Sequence, residues 1–324
     1  DMGTAIADYT DPELIQTYSD RVTELQRKNR CLLLNTMTSQ GFAPFYGEWW
    51  HFSYGDKEWA AYYERARAIY CTADTKPVVK EYSIAEGNNT SLLKADKWNG
   101  QEVNRRACES ILEYSNDADQ AGIYYSDINQ LVMSGGEFCG NAAAATACML
   151  GQDNSTFKVS GLRGATHVRV RQKSDNQSEV TARFDDMLFS KTKRRIRGRN
   201  VDIIEFQGIS HILLLGDLPR NYMDEARLII SEVDLSTASA IGVVWYMKLS
   251  GSCAKINPVV WVCDIDTFYY ESACGSGSMA AAIALSVTTI VQPTNESINV
   301  AIENNTITTR SDVTNRVRFE PSNR

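Results

Sequence analysis

No stretch of this chain approaches the eighteen or so consecutive apolar residues that a membrane-spanning helix needs. Its first residues, Asp1-Met2-Gly3-Thr4, carry neither the basic start nor the apolar core of a secretory signal. A cytoplasmic protein with no membrane partner is expected. Positive charge is also in deficit: 33 Lys and Arg stand against 40 Asp and Glu, a net charge of -7. That balance argues against a nucleic-acid partner, and the one basic run, Lys191 to Arg199, is expected to be a solvated hinge or loop. Cysteines are sparse, eight in 324 residues, and none sits in a Cys-x-x-Cys pair. A disulfide scaffold is therefore excluded and a reducing compartment fits.

What is present is a globular composition, 43% hydrophobic and 23% charged, able to bury real cores. Roughly 100 to 200 residues per domain makes two or three units the prior. Asp11-Pro12-Glu13 predicts a helix start, and a second helix is predicted from about Lys28 to a terminator at Gly41. The aromatic run from Glu48 to Gly55 reads as a strand. Around Thr75-Lys76-Pro77 the pattern changes to short apolar strands and polar turns such as Glu86-Gly87-Asn88-Asn89, which places a domain boundary there.

Beyond that boundary two segments resemble each other. One reads Glu137-Phe138-Cys139-Gly140-Asn141 and continues through four alanines. The other reads Glu271-Ser272-Ala273-Cys274-Gly275-Ser276 and continues through Met279 to Leu285. Each predicts a strand, a tight Cys-Gly turn and a helix apolar on every face, and such a helix must be surrounded by protein. The expected fold is α/β (α+β): two pseudo-symmetric lobes over residues 76–195 and 196–324, each a sheet wrapped around one buried helix, after a small α+β segment of residues 1–75.

A cysteine at a helix N-terminus meets unpaired N–H groups and the positive end of the dipole, which lower a thiol pKa below its usual value of about 8.5. Those N–H groups, from Gly140-Asn141 and Gly275-Ser276, also form an anion site for a substrate carboxylate. With one thiolate removing an α-proton and the opposite thiol returning one, an amino-acid centre inverts without metal or cofactor. Cys31, Cys71, Cys108, Cys148, Cys253 and Cys263 are expected to be small core residues. A Cys-His hydrolase with His211 as base is the other thiol chemistry available, but it leaves the duplication unexplained.

The stretches Met133-Ser134-Gly135-Gly136-Glu137-Phe138-Cys139-Gly140-Asn141-Ala142 and Ala273-Cys274-Gly275-Ser276-Gly277 resemble the two active-site motifs of the diaminopimelate epimerase superfamily, most closely its histidine racemase branch. Glu86 to Thr90 and Gly208-Ile209-Ser210-His211 are similar to further family motifs. The resemblance implies Cys139 and Cys274 as catalytic residues. It also implies substrate contacts from Asn88 and His211, with Glu137 and Glu271 near the thiols or the substrate ammonium. The partner is a free amino acid, with a homodimer left open. Asp266-Thr267-Phe268-Tyr269-Tyr270 stands where diaminopimelate epimerases hold the distal group of their substrate, so a smaller or ring-bearing amino acid, histidine included, is expected instead.

Residues 29–70, with Glu48-Trp49-Trp50-His51, resemble the C-terminal part of zinc D-Ala-D-Ala dipeptidases. The resemblance implies His51 as a zinc ligand and Glu48 as a base. The family's other ligands have no counterpart in residues 1–75, so zinc is expected only if upstream residues complete the site. The readings carried forward are a cofactor-independent two-thiol racemase, a zinc dipeptidase, and a catalytically silent amino-acid-binding protein on the racemase fold.

Overall fold

The computed structural model describes residues 1–65, 68–70, 78–115, 117–233, 235 and 238–319. Contacts divide the chain into two compact units, Asp1–Thr75 and Lys76–Arg324. The Thr75-Lys76-Pro77 stretch, where the boundary is expected, lies outside the described residues, as does Cys71. Among the described residues no helix is long and apolar enough to cross a membrane.

In the first unit, helix α1 (Glu24–Ser39) opens on a capping box between Thr23 and Gln26. A two-residue hairpin, β1 (Ala43–Pro44) with β2 (Phe52–Ser53), and a short helix α2 (Lys57–Tyr62) follow. Two expectations are corrected here. Asp11-Pro12-Glu13 forms a turn, with Asp11 accepting from the Leu14 N–H, but no helix propagates from it. The Ile15 N–H reaches the Asp11 carbonyl, but the Thr17 N–H donates to the Tyr46 carbonyl at 2.9 Å instead of to Glu13, and fully buried Arg30 holds the chain there through the Leu14 and Gln16 carbonyls. The strand expected from Glu48 to Gly55 shrinks to Phe52–Ser53, because Glu48 to His51 is a turn closed by His51 N–H to Glu48 C=O.

The second unit repeats one wiring twice. In the first lobe β3 (Val79–Ile84) pairs antiparallel with β4 (Gly87–Ala95), and helix α3 (Gln101–Tyr114) crosses to β5 (Gln120–Tyr125), parallel to β4. Strand β6 (Gln130–Met133) then leads into the central helix α4 (Gly140–Leu150), and β7 (Asn154–Val159), β8 (Thr166–Gln172) and β9 (Gln177–Phe184) complete the wall. In the second lobe β10 (Phe189–Ile196) and β11 (Arg199–Phe206) form a hairpin. Strand β12 (Ser210–Leu215), helix α5 (Tyr222–Ser231), β13 (Ala240–Lys248) and β14 (Cys253–Val262) come next. After β15 (Thr267–Tyr270) come the second central helix α6 (Gly275–Leu285), β16 (Thr289–Val291), β17 (Ser297–Glu303) and β18 (Thr306–Phe319).

The pairing senses match step for step: antiparallel, parallel, antiparallel, parallel, antiparallel from β3 to β8, and again from β11 to β17 through β14 and β16. Strand β18 pairs with both β9 and β3, so the C-terminal strand closes the first lobe into a ring around α4. This corrects the expected division at 195/196, which cuts the β10–β11 hairpin. Pairing puts the break between Phe184 and Phe189 and returns residues 306–319 to the first lobe. The basic run Lys191 to Arg199 is this hairpin rather than a loop. Seven of the eight residues of β10 are exposed, and charged side chains on an edge strand discourage unwanted pairing.

Why the central helices sit inside follows from composition. Alanines and glycines leave no polar face, and residues 140–147 of α4 and 275–282 of α6 are all buried. Both helices share one apolar core that runs through the two lobes, whereas α5 packs over a separate core with Trp245 and α3 over a third with Cys108. Cys31, Cys148, Cys253 and Cys263 are partly buried, and all the described cysteines are free thiols.

Candidate active site

Cys139 and Cys274 occupy equivalent positions. Each is the N-cap of its central helix, with φ/ψ of -132°/108° for Cys139 and -138°/107° for Cys274. Each sulfur accepts the N–H three residues on, from Ala142 and from Gly277, both at 3.3 Å. The two helix starts abut. A Cβ built on Gly275 would lie 2.9 Å from Asn141 Oδ1 and 3.5 Å from the Gly140 carbonyl carbon, so glycine is what lets the two turns approach. Asn141 Nδ2 donates to the Ala273 carbonyl at 2.9 Å, which ties the start of α4 to the strand leading into Cys274. The positive ends of two helix dipoles, with the free N–H groups of their first turns, therefore converge on one place.

Around the thiols lies a polar shell drawn from both lobes. The Cys139 thiol donates to Gln120 Oε1 at 3.4 Å, and Gln120 Nε2 donates to Asn88 Oδ1 at 2.6 Å and Thr90 Oγ1 at 2.7 Å. Asn88 Nδ2 donates to Glu271 Oε2, and the Asn88 N–H donates to Ser272 Oγ at 2.7 Å. Asn88 holds a left-handed φ of 45°. At the adjacent Gly87 a Cβ would meet Ser272 Oγ at 2.6 Å, so the turn between β3 and β4 is pressed against the Cys274 segment.

The electrostatics differ from the expectation for an open helix end. Burial pushes both thiols up to about 12, with the negative charge of Glu271 adding to the effect, while the N–H groups of Ala142 and Gly277 pull the other way. Desolvation outweighs the helix-end donors at both thiols, Cys274 buried and Cys139 partly so, against the expected lowering. Burial likewise raises Glu137 to about 7 and Glu271 to about 8, the latter helped by Asp119 and opposed by the Asn88 hydrogen bond. Glu137 Oε2 has no hydrogen-bond partner among the described residues.

Asn88, Gly140, Asn141, Glu271, Gly275 and Ser276 thus gather around the two thiols, with Glu137 close enough to act on Cys139 electrostatically. His211 is fully buried on β12 beside Phe206, with neither ring nitrogen hydrogen-bonded among the described residues and its pKa pushed down to about 3 by burial, and it makes no hydrogen bond to either thiol. A Cβ at Gly242 would sit 2.2 Å from its Nδ1, so glycine in β13 makes the space for the ring. The structure gives no support to His211 as base for a thiol hydrolase.

Two residues escaped the sequence reading. Gln120 is one. The other is Gln292, fully buried, whose Oε1 accepts the Cys274 N–H at 2.9 Å while its Nε2 donates to Ser278 Oγ. A lone glutamine carries no motif, and only the fold shows that these two amides serve the two thiol turns.

In the first unit His51 Nδ1 lies 3.1 Å from Glu48 Oε2, both in one surface turn. Among the described residues no group of three or more His, Cys, Asp or Glu could hold a metal. A zinc site needs at least three protein ligands, so Glu48 and His51 by themselves do not make one.

Comparisons with known proteins agree with this division. Residues 1–71 match the D-ala-D-ala dipeptidase family. The histidine racemase of Fusobacterium nucleatum subsp. nucleatum strain ATCC 23726 is 26% identical over 207 residues, 60% of this chain and 76% of that protein. Its counterpart in strain ATCC 25586 is 24% identical over 204 residues, 60% and 75% of the two chains. Among solved structures, a PhzF-family phenazine biosynthesis protein from Bacillus anthracis is similar at 11% identity and TM-score 0.49, covering 76% of this chain and 99% of that one. A putative PhzC/PhzF protein from Clostridium difficile has TM-score 0.46, again at 11% identity, covering 76% of this chain and all 100% of that one. The family model of the histidine racemase CntK N-terminal domain matches residues 87–315, and the chain belongs to that family, an isomerase of the racemase type.

Proposed function

We propose that this protein racemises a free amino acid, histidine first among the candidates, by a two-thiol mechanism that needs no cofactor. The observation that carries the reading is the matched pair of helix-capping thiols, Cys139 and Cys274, on helix starts that touch at Gly140 and Gly275. The substrate carboxylate sits against the first-turn N–H groups of both helices, and its ammonium faces Glu271 and Glu137. Binding that cation favours ionisation of carboxyls that burial otherwise keeps protonated.

One cysteine, as thiolate, takes the α-proton. The electron pair left on carbon delocalises into the carboxylate, and the charge that develops on its oxygens meets preorganised N–H donors in a site of low dielectric. The opposite thiol delivers its proton to the other face of the same carbon. The configuration inverts, the first cysteine ends as thiol and the second as thiolate, and the reverse reaction runs through the same steps with the roles exchanged. Base, acid and anion stabilisation all come from the chain, which is the ground for proposing cofactor independence.

The test is incubation of the purified protein with each of the twenty L-amino acids in deuterium oxide, with and without EDTA, followed by chiral separation and mass analysis. The D-enantiomer carrying one deuteron is expected, undiminished by EDTA. Cys139→Ala and Cys274→Ala are each expected to abolish it. Racemisation retained by either single variant sinks the two-thiol scheme, and binding without exchange by the parent protein would mark a silent amino-acid-binding protein.

A further inference from the structure

The hydrogen bonds around Cys139 have a direction, and that direction is set at the far end of the chain they form. Starting from Glu271, Asn88 Nδ2 donates to Oε2. That leaves Asn88 Oδ1 as an acceptor, which takes Gln120 Nε2 at 2.6 Å. Gln120 Oε1 is thereby left as the acceptor that faces Cys139, at 3.4 Å. Neither amide can turn over alone, because a turn would set oxygen against oxygen or N–H against N–H at its neighbour. Thr90 reinforces the order: its hydroxyl donates to Asn88 Oδ1 at 3.2 Å and accepts from Gln120 Nε2 at 2.7 Å. An ionised Glu271 can only accept, so it fixes every link, and the last link demands a hydrogen on the Cys139 sulfur.

We propose that Gln120 and Asn88 form a reversible amide relay through which the charge on Glu271 decides whether Cys139 is held as thiol or as thiolate, with Gln120 acting as a positioning residue. The inference rests on the two-thiol reading of the site. When Glu271 carries a proton, its O–H can donate to Asn88 Oδ1. Both amides then turn, Asn88 Nδ2 donates to Gln120 Oε1, and Gln120 Nε2 presents an N–H to the sulfur. A donor there stabilises the thiolate. In the balance one proton is gained at Glu271 from solvent or substrate and one is lost from Cys139 to solvent or substrate. No bond to carbon or nitrogen breaks, and the amides rotate without passing a proton.

The relay joins the lobes, since Gln120 and Asn88 belong to β5 and β4 whereas Glu271 leads into Cys274. It therefore gives the thiol of the first lobe a report of the charge beside the thiol of the second. Other charged groups face the same space. Glu137 acts on Cys139 from its own segment, and Asp119 and Glu137 act on Glu271. A direct electrostatic effect of Glu271 on Cys139 must accordingly be separated from the relay.

A double-mutant cycle read by thiol labelling does this. The rate of iodoacetamide modification follows the thiolate fraction, and digestion with mass spectrometry reports Cys139 by its own peptide. With the full chain at about pH 9, above the value of about 8 at which Glu271 ionises, Glu271→Gln is expected to speed labelling of Cys139 about tenfold. In a Gln120→Met background, which keeps the length and removes the amide, the same change is expected to alter the rate less than about twofold. Gln120→Asn, too short to span the gap, serves as the second background if the methionine variant does not fold. An undiminished tenfold effect in both backgrounds, or no effect of Glu271→Gln in the parent, overturns the relay. Because labelling needs no turnover, the outcome is independent of whether the protein racemises its substrate.

Discussion

Gly275→Ala tests the contact on which the site depends. The added methyl would stand 2.9 Å from Asn141 Oδ1 and 3.3 Å from the Asn141 amide nitrogen, where ordinary carbon–oxygen contact begins near about 3.4 Å. Relief of roughly half an ångström must come from somewhere. Asn141 cannot swing away freely, because its Nδ2 is bonded to the Ala273 carbonyl at 2.9 Å, and giving up that bond costs about 1 kcal/mol. The alternative is to part the two helix starts, an overpacking strain of about 1–3 kcal/mol. The melting temperature should fall by several degrees. Since misplacing a reacting group by about 1 Å costs on the order of a hundredfold in rate, half that shift predicts a loss of about tenfold in kcat. Gly251→Ala is the control in the same lobe, because its Cβ meets nothing within 4 Å, and it should match the parent protein in both respects. Racemisation by chiral chromatography and thermal unfolding by circular dichroism give the two readouts. A Gly275→Ala protein that turns over like the parent would refute the claim that close approach of the helix ends matters for the chemistry.

Three further outcomes are expected. Glu137 and Glu271 are held at about 7 and about 8 in the folded, substrate-free protein, above the roughly 4.3 of an unfolded glutamate, so the native state binds the extra protons and stability falls as pH rises from about 5 to about 8. Calorimetric melting across that window checks the sign, Glu271→Gln should flatten the slope, and a melting temperature that climbs with pH contradicts it. Gln292→Leu strips the buried Cys274 N–H of its acceptor and should cost about 1–3 kcal/mol in chemical denaturation, with loss of racemisation as the thiol turn loosens; an unchanged denaturation midpoint would show that the amide is dispensable. His211→Met removes a buried imidazole without partners and should raise the melting temperature while leaving racemisation within about threefold, because unpaired buried polar groups are destabilising. Lost activity in a stable variant would restore His211 to the site.

How much of this was legible in the sequence depended on whether a feature was local or relational. The central helices could be read because a run such as Gly140 to Leu150, apolar on every side, has one physical solution. The duplicated Glu, Cys and Gly pattern placed both thiols at helix starts for the same reason. The lobe division at 195/196 failed because it was drawn within a basic run, whereas strand β18 returns to close the first lobe, a pairing between residues more than a hundred apart. Asp11-Pro12-Glu13 misled in the opposite way: the cap is real, but the Thr17 N–H that would have continued the helix donates to Tyr46, far along the chain. Gln120 and Gln292 could not be picked out at all, because a single amide acquires meaning only from what faces it.

The raised thiols are the instructive miss. A helix end in water would favour the thiolate, yet Cys274 is buried and Cys139 partly buried between the Ala-rich helices and the Asn88 turn, and desolvation of a charge outweighs one or two N–H donors. The same desolvation strengthens whatever the site does to an incoming charge. In the proposed mechanism an amino acid would bring its ammonium toward the two carboxyls raised by burial, and its carboxylate toward two helix ends. Its arrival would then replace lost water with fixed partners and make an ionised thiol less costly. A neutral resting pair of thiols is thus compatible with the proposed thiolate chemistry, in which the substrate ammonium would offset part of the cost of ionising one of them.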